Sequence, residues 1–168
     1  MVYSNIVKVL EEQENSYGTG IVIAEDKVLT MEHVVRGKTL ICISWDDQDY
    51  SATVEFTDNE IAIISVENEE FKEKYNLISN KLLFTMNEYV TEVTPWYIEG
   101  YITSKLEEHS MQGNGVFSGG KKEEWFSLGR VNVGTANNYQ GLSGSPVIVR
   151  NRAIGIVQSQ NWDMQGTL

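Results

Sequence analysis

The chain has 168 residues, 41% of them hydrophobic, and a formal net charge of −11. That length buries one core without covalent staples, and a single cysteine, Cys42, excludes an internal disulfide framework. The acidic balance excludes a nucleic-acid footprint, no stretch reaches the length of a membrane span, and two histidines beside one cysteine supply no metal-ligand cluster.

In chain order the elements are short strands separated by turns, the pattern of an all-β barrel or sandwich. Residues 5–11 form a first strand, because Ile6-Val7-Lys8-Val9-Leu10 is rich in β-formers. Residues 18–23 follow, entered through Gly18. The turn Ala24-Glu25-Asp26-Lys27 leads into residues 27–30, which run up to His33. Residues 39–45 and 50–56 make a hairpin around the acidic turn Asp46-Asp47-Gln48-Asp49. Cys42, in the apolar run of the first of these, is expected to be a buried and inert thiol. Residues 61–66 complete a first group of strands. Residues 67–80 are polar, with a helical turn over 69–75, and read as a connection.

A second group begins near Lys81, with strands expected at 88–94, 96–103, 115–117, 124–132, 146–149 and 152–158. His109 falls in the polar stretch 107–115, read as an exposed hairpin tip without a catalytic role. Trp96, Tyr97 and Tyr101 read as core rather than as a cofactor site, and no cofactor is expected. The acidic runs at Glu11, Glu12 and Glu14, at Asp46, Asp47 and Asp49, and at Glu67, Glu69 and Glu70 read as solvated faces. They favour a basic polypeptide partner through electrostatic steering.

Two segments carry chemistry. Gly141-Leu142-Ser143-Gly144-Ser145-Pro146 sets a serine between glycines, and Val28-Leu29-Thr30-Met31-Glu32-His33-Val34-Val35 carries a histidine at the end of an apolar strand. A serine hydroxyl is a poor nucleophile at neutral pH until an imidazole takes its proton, and the oxyanion that forms needs fixed donors. A lone G-x-S-x-G also suggests an α/β-hydrolase elbow, but in that fold the histidine follows the serine, and none follows Ser143. In this order the pair resembles the base and nucleophile motifs of the trypsin/chymotrypsin-like serine proteases. The resemblance runs from about residue 5 to residue 159, and the lack of disulfides makes the chain similar to the bacterial branch.

That resemblance implies two packed six-stranded antiparallel β-barrels: 1–66 as the first, 67–80 as connection, 81–168 as the second. It implies His33 as general base and then acid, Ser143 as nucleophile, and the N–H groups of Gly141 and Ser143 as the oxyanion hole. The family sets an Asp directly before a short apolar strand; here Asp58-Asn59-Glu60-Ile61-Ala62-Ile63-Ile64 puts Glu60 at that position. Asp58, two residues away and on the same face of an extended strand, stays open as the alternative. Asn137 is expected at the base of the substrate pocket, with Gln158 and Gln160 on the strand edge that meets substrate. None of these is charged, so no strict preference for Arg or Lys is implied. Leu142 stands where many animal members carry the Asp that binds a freed N-terminus, so that activation device is not expected.

The family's closing strand would follow Gly166, so the second barrel is expected to be incomplete, with residues 160–168 poorly anchored. The implied function is a cytoplasmic serine endopeptidase acting on a polypeptide through an acyl-enzyme. It is expected to be the protease domain of a larger bacterial protein, with further domains or a regulatory partner. The alternative is a catalytically weak or inactive peptide-binding module on the same fold, with the edge at 158–160 lending itself to strand addition.

Overall fold

The computed structural model describes residues 3–10, 17–58, 60–85, 94–103, 108–116 and 141–158. Six strands close into an antiparallel barrel: β1 (Ile6–Leu10), β2 (Tyr17–Ala24), β3 (Lys27–Met31), β4 (Leu40–Trp45), β5 (Gln48–Thr57) and β6 (Ile61–Ser65), in the spatial order β1-β2-β3-β6-β5-β4. The alternation of a β-strand sorts the side chains. In β4, Ile41, Ile43 and Trp45 point into the barrel and are buried. Cys42 therefore lies on the other face and is only half-buried, which corrects the expectation of a buried thiol.

The β4–β5 turn is tighter than expected. Trp45 pairs with Gln48, and only Asp46 and Asp47 lie between, with φ of 48° and 61°. Two central residues at positive φ make the turn whose twist matches a hairpin, and Asp tolerates that region. The expected helical turn is a nine-residue helix, α2 (Glu69–Leu77); β3 is followed by a single-turn helix, α1 (Glu32–Val35). Asn68 caps α2, its side chain accepting a bond from Phe71 N at 3.0 Å. Phe71 is fully buried and meets Trp45 and Tyr50 edge-on, with ring centroids 4.8 and 5.1 Å apart. The connection is thus docked on the first barrel.

The remaining described strands are β7 (Pro95–Thr103), β8 (Glu108–Val116), β9 (Pro146–Val149) and β10 (Arg152–Ile156), in one sheet ordered β10-β9-β7-β8. Strand β8 corrects the reading of 107–115 as a hairpin tip. It pairs with β7 from Pro95↔Val116 to Thr103↔Glu108, which sets His109 opposite Ile102. The ladder is made by backbone groups, so it forms despite the polar and glycine-rich sequence. The strand expected at 88–94, apart from Thr94, which precedes β7, the strand expected at 124–132, the residues Asn137 and Gln160, and the segment 160–168 lie outside the described residues.

The two sheets share a core in which Ile6 and Tyr3 pack with Leu82, Ile148 and Ala153, flanked by Tyr97 and Tyr101. Trp96 is buried as well, so the aromatic group is core as expected. Asn5 pins the connection to this seam: its amide donates to Val22 O and Leu82 O, and it accepts from Leu82 N at 2.8 Å. Among the described residues no helix is long and apolar enough to cross a membrane, and no group of His, Cys, Asp and Glu is arranged to hold a metal ion.

Candidate functional site

His33 sits on α1, where Met31 keeps extended backbone (φ −84°, ψ 146°) and the chain then coils for one turn. Val35 is buried beneath the turn and anchors it. The imidazole stays on the surface. Arg36, one turn on, grips Glu32 through two nitrogens, with Nη2 2.7 Å from Oε2 and Nε 3.1 Å from Oε1. Partial loss of water holds the His33 pKa below its usual value, and the Arg36 charge adds to this while Glu32 opposes it. The neutral imidazole is therefore the prevailing form at neutral pH, and that is the form able to accept a proton.

Glu60 comes off the neighbouring strand at the same end. Strands β3 and β6 are antiparallel, with Met31 opposite Ile61. The ladder extends one residue further, Glu32 N donating to Glu60 O at 2.8 Å. Glu60 itself is exposed. Asp58, the alternative acid, is committed to its own turn: its Oδ1 accepts from Glu60 N and from Ile61 N, both at 2.7 Å. Those backbone bonds, Ile61 first, hold its carboxyl below the usual range. Among the described residues no hydrogen bond joins the His33 imidazole to Glu60, Asp58 or Ser143.

Ser143 is half-buried in a turn held by hydrogen bonds at its carbonyl groups and at the N–H groups that follow it. Thr19, fully buried in β2, donates its N–H to Ser143 O at 2.8 Å and its hydroxyl to Gly141 O at 2.9 Å. Ser145 N donates to Leu142 O at 2.9 Å, and Gly144 N donates to Val157 O at 2.8 Å. Gly144 has φ 88°, and a Cβ there would overlap the Thr19 carbonyl oxygen and lie 2.6 Å from Thr30 Oγ1. Only glycine fits that approach. Gly141, at φ 99°, makes the preceding bend. Ser145 is fully buried, and among the described residues its Oγ has no hydrogen-bond partner.

Gly18 is where the turn and α1 meet. A Cβ on Gly18 would lie 2.7 Å from both Val34 methyls and 3.0 Å from Ser143 O. The structure thus brings the backbone of Ser143 and the helical turn carrying His33 against one point of β2, with Glu60 fixed to the start of that same turn. Gln158 is half-buried and directly follows Val157, whose N–H donates to Ser145 O at 2.8 Å. Thr19 and Thr30 were not legible as site residues. The one local signal is the run Gly18-Thr19-Gly20, since glycine inside a strand marks close backbone approach.

The sequence profile of the trypsin-like peptidase domain matches residues 18–156. No curated protein matches the sequence significantly. A protease of M. tuberculosis, in its active form, superposes with a TM-score of 0.70 at 23% identity, over 99% of this chain and 75% of that one. The inactive form of that protease gives 0.68 at 21% identity, over 99% of this chain and 82% of that one. A serine endoprotease of Yersinia pestis gives 0.72 at 16% identity, over 99% of this chain but 57% of that one. Likeness at these identities establishes the fold.

Proposed function

The chain belongs to the trypsin-like peptidase domain family, and from that premise we propose that it is a serine endopeptidase acting on polypeptides through an acyl-enzyme. Ser143 Oγ attacks the scissile carbonyl carbon while His33 takes its proton. The carbonyl oxygen becomes an oxyanion facing the N–H groups of Gly141 and Ser143. His33 then protonates the departing amine, and a water molecule, deprotonated by the same imidazole, releases the acyl group. Glu60 orients the imidazole. Its main chain is held beside Glu32, its side chain is free of the turn that engages Asp58, and its extra methylene supplies reach.

The observation that carries this reading is the docking of the Ser143 turn on β2 at the point where α1 also packs, through Thr19 and Gly18. A fluorophosphonate probe tests it, because only an activated serine is labelled. Wild type should label and cleave peptides, and Ser143→Ala should do neither, a loss on the order of a millionfold in turnover. Labelling or cleavage retained in the variant would sink the assignment.

One observation favours a second reading. Because no hydrogen bond closes His33 onto Ser143 or Glu60 among the described residues, the chain also fits a peptide-binding module with weak or absent catalysis. An unlabelled wild type that still binds peptide would decide for it. In either case the partner is a polypeptide. We also place the protein in a reducing cytosol, as one portion of a larger bacterial protein; fractionation and the full-length gene product test that placement.

A further inference from the structure

We propose that Thr19 is a positioning residue for the oxyanion-forming turn, fixing the peptide planes on either side of the one that carries the Ser143 N–H. The inference rests on the proteolytic reading of Ser143.

Thr19 is 0% exposed, and each of its polar atoms is engaged outside its own strand. Its N–H donates to Ser143 O at 2.8 Å. Its hydroxyl donates to Gly141 O at 2.9 Å and accepts from Tyr101 N, in β7, at 3.0 Å. Its carbonyl accepts from Thr30 Oγ1, in β3, at 2.8 Å. The direction of the hydroxyl proton follows from the partners: Tyr101 N can only donate, so the proton of Thr19 Oγ1 goes to the Gly141 carbonyl.

A peptide group is planar and trans, so a carbonyl held in place also fixes the following N–H, which points the opposite way. Thr19 Oγ1 therefore fixes the plane between residues 141 and 142. Thr19 N fixes the plane between 143 and 144, whose N–H reaches Val157 O. The plane between them, 142–143, carries the Ser143 N–H, one of the two proposed oxyanion donors. Its own carbonyl accepts Ser145 N at 2.9 Å. That donor is thus bracketed by two bonds from one residue, and the residue is in turn held by β3 and β7.

Only a small side chain that both donates and accepts fits this place, which means Thr or Ser. Valine has the same shape, but it would leave Gly141 O and Tyr101 N each without the partner it has now. A buried group in that state drives its segment to move. A shift of the turn by a fraction of an ångström leaves substrate binding intact and spoils the match to the oxyanion, which is present only in the transition state.

The test compares wild type, Thr19→Val and Thr19→Ser in kcat and KM on one peptide, per active site titrated with a fluorophosphonate. Inhibition by a peptide aldehyde, which presents an oxyanion, is measured alongside. In Thr19→Val, kcat per titrated site should fall by about 10–100-fold with KM little changed, and aldehyde affinity should fall in parallel. Thr19→Ser should recover most of both. Thr19→Ala, which adds no bulk, carries the test if the valine variant does not fold. A purely structural role would lower the titratable fraction and the melting temperature while leaving kcat per titrated site unchanged, and that result overturns the proposal.

A wild type that the probe does not label overturns the proteolytic reading instead. Amide hydrogen exchange then decides the tether by itself. Gly144 and Ser145 should lose protection in Thr19→Val while β3 and β6 keep theirs, and equal protection in both proteins overturns the tether.

Discussion

Gly144→Ala is the sharpest perturbation of the site backbone, because two separate costs meet at one atom. With φ at 88°, an alanine pays about 1–2 kcal/mol for a left-handed backbone. Its Cβ would also overlap the Thr19 carbonyl oxygen. That overlap forces the turn off β2 at about 1–3 kcal/mol, the usual range for overpacking. The Gly144 N to Val157 O bond weakens with it, for about another 1 kcal/mol. The sum is about 3–6 kcal/mol, a large share of the total stability of a domain. Gly37→Ala is the control: its φ is 74° and nothing lies within 4 Å of its Cβ, so it should cost about 1–2 kcal/mol of strain alone. Urea unfolding of the three proteins measures the difference, with fluorophosphonate labelling as the functional readout. The chain escapes the full cost only by undocking the turn, in which case labelling is lost. If Gly144→Ala matches Gly37→Ala in stability and still labels, the close approach of the turn to Thr19 is wrong.

Glu60→Gln should depress turnover on the order of a thousandfold, as expected for the partner that holds the imidazole tautomer. Asp58→Asn should leave turnover nearly intact, because that carboxylate caps its own turn. The Asp58 pKa is depressed in the fold, so its contribution is present above the ordinary carboxylate pKa and is lost as pH falls through the depressed value. Acid unfolding of Asp58→Asn should lack that component. For His33, lowered from 6.5, the acid limb of kcat/KM should lie below pH 6.5. Arg36→Gln removes a repelling cation and should move the limb up, whereas Glu32→Gln should move it down; a limb that does not respond assigns the titration to another group. Ser145→Ala removes a buried hydroxyl with no partner among the described residues, so it should keep activity and be neutral or stabilising by up to about 1 kcal/mol in urea unfolding.

The first barrel was legible because its strands alternate cleanly, as Ile41, Ile43 and Trp45 do in β4. The motif residues stood out because the proposed chemistry demands those residue types, and the structure sets the backbones of His33 and Glu60 at one end of neighbouring strands. Strand β8 was legible only at its end, where a strand was expected at 115–117: Glu-His-Ser-Met-Gln-Gly-Asn-Gly-Val has no apolar alternation and its β-former is Val116, and its pairing comes from β7. The choice between Asp58 and Glu60 was open because both fit one strand face. The proposal of Glu60 rests on two backbone N–H groups bonding to Asp58, a geometry that composition does not encode. Thr19 was out of reach for a related reason. Its bond to Gly141 O spans 122 positions of sequence, so the contacts behind its proposed role exist only once the chain is folded.

The site is unevenly prepared, and that has a consequence for substrate length. The turn backbone is pinned by Thr19, Val157 and Ser145, whereas His33 and Glu60 are exposed and Ser143 only half-buried. Closing the three side chains onto one another costs rotamer freedom, about 0.5–1.5 kcal/mol each. Together that is about 1.5–4.5 kcal/mol, and every 1.36 kcal/mol is worth tenfold in rate. A substrate that contacts only Ser143 has no binding energy to offset this cost. A longer peptide, reaching the segment at Gln158, gains backbone contacts remote from the reacting bond and can spend them on closure. A series of peptides with one scissile bond and increasing length should therefore rise in kcat by about tenfold or more, and not only fall in KM. Were KM alone to fall while kcat stayed flat, the side chains would already be closed in the free protein, and the open arrangement of His33, Glu60 and Ser143 would not be its resting state.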